Sequence, residues 1–79
     1  MSTTKNSGTY AAAGRGQLDA WQWIRSYNTA SLGIILDDLH IERSDLLATD
    51  GHLSADQRTQ LGYLDAAIDT LTTYLGMNR

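Results

Sequence analysis

The sequence predicts an all-α domain, a small bundle of three to four helices behind a flexible N-terminal tail. Three observations carry that expectation. The 79 residues include no Pro, no Val and no Phe, so much of the usual stock of β-strands is missing. Leu and Ile supply 16 residues (11 and 5) and Ala another 9, recurring at intervals of three and four, the period of a helix face. Polar breakpoints at Asn28-Thr29-Ala30-Ser31 and Thr49-Asp50-Gly51-His52 then divide the chain into helix-length pieces.

Composition also narrows function. No run approaches the roughly 20 consecutive apolar residues of a membrane span, and the N-terminus lacks the basic-then-apolar order of a signal peptide. A soluble, cytoplasmic protein is expected. The absence of Cys excludes disulfides, thiol chemistry and thiolate metal sites, leaving packing or association to hold the chain. The formal charge is −3 and unevenly placed. Residues 1–16 hold Lys5 and Arg15 and no acid, whereas from Asp37 onward eight acids stand against Arg43, Arg58 and Arg79. A general basic footprint for nucleic acid is missing.

Residues 1–16 are Ser, Thr, Gly, Ala and Asn around one Lys, one Tyr and one Arg, without usable periodicity, and are expected to be the tail. Residues 17–79 form the single helical domain. From Gln17 to Asn28, at about 100° per residue, Trp23, Tyr27, Ala20, Ile24 and Trp21 fall on one broad arc and Asp19, Gln22, Arg25 and Ser26 on the other. Trp21 and Trp23 lie about 200° apart, so one face cannot bury both indoles, and one of them is a candidate contact residue.

The next helix is capped by Ser31 or Thr29. Leu32, Ile35, Leu36, Leu39, Leu46 and Leu47 share a stripe, but an unbroken helix would set Arg43 inside that stripe and Ile34 and Ile41 on the far side. A helix from Ser31 to His40, a turn carrying Ile41 inward and a short helix capped by Ser44 and running through Leu47 resolve the conflict for Ile41 and Arg43. Ile34 is left without an intramolecular partner. The stretch Leu32-x-x-Ile35-Leu36-x-x-Leu39-x-Ile41-x-x-Ser44-Asp45-Leu46-Leu47 resembles the last two helices of lambda-repressor-like helix-turn-helix domains, with His40 where that family usually places Gly. The resemblance implies a packing unit of two helices joined by a tight turn more than it implies DNA binding.

After the Asp50-Gly51 turn, Ser54 and Gln57 form a capping box. The third helix is expected from there to Leu75, with Gly76 as terminator. Leu61, Leu64, Ile68, Leu71 and Leu75 are spaced 3, 4, 3, 4, a seam for a neighbouring helix. Beside it runs a second row, Tyr63, Ala67, Thr70 and Tyr74. Together the two rows are wider than one neighbouring helix covers. Asp65, Asp69, Arg58 and Thr72 take the wet side. A domain this small hides only around 60% of its extended-chain surface, so this double-width face predicts association, with a symmetric homodimer through the third helix made close by Ala67.

The titratable inventory is thin. His40 and His52 have carboxylates nearby but no HxxxH or HExxH spacing, and the Asp-rich turn lacks an EF-hand loop. There is no nucleophile elbow, no phosphate loop and no carboxylate pair in an obviously apolar pocket, so no metal, cofactor or catalysis is expected. The sequence instead points to a non-catalytic protein-binding module, an inhibitor or adaptor. Its contact residues are Trp21, Trp23, Ile34, Tyr63, Ala67 and Tyr74. Its acidic rim is Asp37, Asp38, Glu42, Asp45, Asp65 and Asp69, which suits a basic protein partner and the covering of a basic nucleic-acid-binding site. Two alternatives are a small DNA-binding transcriptional regulator with Lys5, Arg15, Arg25 and Arg43 on phosphate, and a structural subunit of a larger assembly.

Overall fold

The computed structural model describes residues 4–48 and 52–77, with side chains from residue 11 onward. The described residues form three helices: α1 (Thr4–Ser26), α2 (Thr29–Leu47) and α3 (Ala55–Met77). Among the described residues there is no strand. None of the three helices is long and apolar enough to cross a membrane.

Helix α3 is the centre. Helix α1 packs extensively along it, α2 packs along it less, and α1 and α2 scarcely meet. Gly16 lies against Tyr63, Ala66 and Ala67, and further along the same two helices Trp21 stacks on Tyr74, so α1 and α3 run in the same direction. Arg43 meets Asp65 while His40 lies near Asp69 and Thr72, so α2 runs the opposite way. The molecule measures 41 × 30 × 17 Å, a broad, flattened arrangement in which α1 and α2 form the two edges. Its core is Ala20 from α1, Leu32 and Leu39 from α2, and Leu64, Ala67 and Leu71 from α3. Trp23, Ile24, Ile35, Leu36, Leu46, Tyr63, Ile68, Tyr74 and Leu75 pack around it half-buried.

The helix boundaries have local causes. The cap of α2 is Asn28 rather than Ser31 or Thr29; its side-chain Oδ1 accepts the Ser31 backbone N–H at 2.8 Å. The capping box forms as the spacing predicts, with the Gln57 N–H donating to Ser54 Oγ at 3.1 Å and the Ser54 N–H donating to Gln57 Oε1 at 2.8 Å. Gly76 does not end α3, which continues to Met77. Most of the expected turn, residues 49–51, lies outside the described residues.

Two larger expectations also need correction. Residues 11–16, assigned to the tail, belong to the packed part of α1, where Ala12 and Gly16 are buried. Spacing by four (Ala12, Gly16, Ala20) gives α1 a narrow face of small residues, so composition that reads as a flexible segment works here as a close-packing surface. Second, α2 is unbroken from Thr29 to Leu47, and the repressor-like pair of helices with its turn is not formed. Nothing between His40 and Ser44 interrupts a helix, as there is neither Pro nor Gly. Arg43 is tolerated on the inner stripe because its guanidinium crosses to the Asp65 carboxylate on α3. Both side chains are about half exposed, so the pair contributes at most about 1 kcal/mol and mainly fixes register.

At Gly16 a side chain has nowhere to go. A Cβ there would fall inside van der Waals contact of the Tyr63 carbonyl oxygen and within 3.2 Å of both Ala66 Cβ and the Ala67 nitrogen. The obstruction is largely backbone, so it does not yield cheaply. Gly14, one half-turn away, has nothing within 4 Å. Gly16→Ala is therefore expected to destabilise by up to about 2 kcal/mol, because overpacking against backbone, toward the upper end of about 1–3 kcal/mol, outweighs the helix-propensity gain of about 1 kcal/mol. Gly14→Ala should instead stabilise by about 0.5–1 kcal/mol. Urea unfolding of the two variants side by side checks the opposite signs.

Candidate docking surface

The structure divides the residues that the sequence groups as one contact surface. Ala67 is fully buried at 0% exposure, on the α3 row that faces α1. The row that seemed to await a second copy is occupied by α1, so Ala67 does not bring two copies together. Trp23 and Tyr63 pack half-buried against the core. Trp21 is the more exposed indole, at 44%, and meets Tyr74 edge-to-face with ring centroids 6.3 Å apart and planes at 75°. The two tryptophans thus separate as their helical angle requires. Trp21 and Tyr74 also line a narrow groove of about 180 Å³ together with Gln17, Asp69, Thr70, Thr73 and Met77.

The apolar surface left over lies elsewhere. Ile34 is 65% exposed and Ile41 58%, the reverse of the inward turn expected for Ile41. Seven residues apart on an unbroken helix, they sit within about 20° of one another, facing directly away from Leu32 and Leu39. Tyr27, 50% exposed, extends the line past the start of α2 and forms with Ser31, Ile34 and Ile35 a shallow groove of about 290 Å³. Asp38 and Asp45 run along one side of this line and Asp37 along the other, all exposed. None of these three carboxylates makes an ion pair among the described residues.

The rest of the expected acidic rim points elsewhere. Asp65 is taken by Arg43, and Asp69 lines with it an open groove of about 390 Å³ that includes His40, Ile68 and Thr72. Glu42 is exposed, and its charge, like that of Arg15, is felt by the Tyr63 phenol. That phenol donates a hydrogen bond to Asp19 Oδ2 on α1. Among the described residues no group of three or more His, Asp or Glu side chains is arranged to hold a metal ion. His40 and His52 are exposed.

The signal for Ile41 is present in the periodicity, whereas Tyr27, which shares the apolar arc of Ala20 and Ile24, carries none for its exposure. An unbroken α2 places Ile34 and Ile41 on one outward line, which a break after His40 would dissolve.

The fold moves the titration of Tyr63. Burial, followed by the hydrogen bond to and the charge of Asp19, pushes its pKa from 10.0 up to about 12. The folded value lies above the unfolded one, so the stabilisation is complete below pH 10 and is lost as the pH rises toward about 12. Asp19→Asn should bring the Tyr63 midpoint down toward its ordinary value without reaching it, because burial remains. Tyrosinate absorbance of wild type, Asp19→Asn and Tyr63→Phe resolves that one phenol among the four in the chain.

Compared with protein-family models, with curated proteins and with solved structures, the chain matches none.

Proposed function

We propose that the chain is a non-catalytic docking module that acts as a small inhibitor or adaptor, seating the outer face of α2 on a basic surface of a protein partner. One observation carries this reading. Ile34 and Ile41 stand exposed on a single line of α2, bracketed by Asp37, Asp38 and Asp45. An apolar centre flanked by charge of one sign is the anatomy of a recognition surface: burial of the isoleucines supplies affinity, and the carboxylates steer a cationic partner and reject an anionic one. The action is steric, since the module covers what it binds, and a partner whose basic patch handles nucleic acid suits the sign of the charge. The DNA-binding alternative relied on a two-helix unit, and α2 is one continuous helix at that place.

Ile34→Ser combined with Ile41→Ser is expected to abolish capture of the partner from host extract while leaving the far-ultraviolet circular dichroism unchanged, because neither side chain belongs to the core. Asp38→Lys with Asp45→Lys should weaken capture and flatten its salt dependence. Capture indifferent to both pairs of substitutions would overturn the reading. Fluorescence anisotropy on random duplex DNA at low salt is expected to show no binding; binding there would favour the regulator alternative with Arg15, Arg25 and Arg43 on phosphate.

A further inference from the structure

The two edges of the molecule differ in sign. On α1 the acid is Asp19, and the Tyr63 hydroxyl holds it at the α1–α3 contact. Arg15, Gln22 and Arg25 remain on the outward side of α1, around Leu18, which is 65% exposed. On α2 the base is Arg43, and Asp65 holds it at the α2–α3 contact. Asp37, Asp38 and Asp45 remain outward, around Ile34 and Ile41. Each edge helix has turned its minority charge toward α3 and left most of its majority charge outside; Arg15 on α1 and Glu42 on α2 are still near enough for the Tyr63 phenol to feel their charges. A single apolar knob between arginines lies on one edge, and a pair of isoleucines one heptad apart between aspartates lies on the other.

We infer that the α1 edge of a second copy is an occupant of the α2 face, so that the protein associates with itself head to tail. The inference rests on the reading of the α2 face as a docking surface and names a partner for it. Leu18 fits as a knob in the space between Ile34 and Ile41. Copies related by simple translation bring α1 of one beside α2 of the next in opposite directions, because the two helices already run oppositely within one chain. Arg15 then lies about one turn from Leu18, toward Ile41, within reach of the aspartates along that line. The two surfaces are different, so the contact is heterologous: it leaves one free edge of each kind and builds rings or open chains rather than a closed symmetric pair.

The test uses two variants of the full chain, each lacking one edge. Ile34→Ser with Ile41→Ser removes the acidic edge, and Leu18→Ser with Arg15→Glu removes the basic one. Circular dichroism of each variant, expected to match wild type, checks that both fold. In sedimentation equilibrium, wild type is expected to grow in mean mass with concentration past the dimer, and to do so less as salt is raised. Each variant alone is expected to be monomeric, and an equimolar mixture to give a dimer that stops there, because one intact edge of each kind remains. A strictly monomeric wild type, a variant that still associates alone, or a mixture that stays monomeric while wild type associates would each overturn the inference. The docking reading fails separately: partner capture depends on Ile34 and Ile41 and is unaffected by Leu18→Ser with Arg15→Glu.

Discussion

The close contact of α1 with α3 at Gly16 organises the molecule. With no side chain there, the backbone of α1 settles against the Tyr63 carbonyl and the Ala66–Ala67 segment of α3. That approach brings Trp21 onto Tyr74, places Asp19 at the Tyr63 hydroxyl and buries Ala67. The second apolar row of α3 is thereby used within the chain, and α1 takes the place on α3 that a dimer partner would otherwise fill. Dispersion between closely fitted small residues replaces the bulk of a large core, in a protein whose largest fully buried side chains are three leucines.

Because α1 and α2 flank α3 and scarcely touch each other, each keeps a long outward face. A rounder bundle would hide more of both. The flattened shape explains how a chain this short exposes Leu18, Ile34 and Ile41 while satisfying its described buried polar atoms. It also sorts charge. The exposed pair Arg43–Asp65 is weak as a source of stability, but it and the Tyr63–Asp19 hydrogen bond each remove the odd charge from an edge, and this gives the two edges opposite character.

The helical class, the capping box at Ser54 and Gln57, the seam of leucines on α3 and the division of the two tryptophans were all legible in the sequence, because each follows from spacing along one helix. Ile34 was also legible as a residue without a core. Ile41 was not legible, because local pattern favours burying an isoleucine over exposing an apolar pair, and Arg43 on the inner stripe argues locally for a break. An ion partner 22 residues away removes that demand, and no local pattern announces it.

Residue order by itself determined which faces are apolar, where α3 starts and that the charge is divided along the chain, since these depend on neighbours three or four positions apart. Tertiary structure alone decided which apolar face is covered. The small residues of 11–16 have no amphipathic signature, and their value appears only when a second helix approaches closely enough to need the room. That meeting turned residues 11–16 of the expected tail into a packing edge and left the outer face of α2, rather than that of α3, exposed.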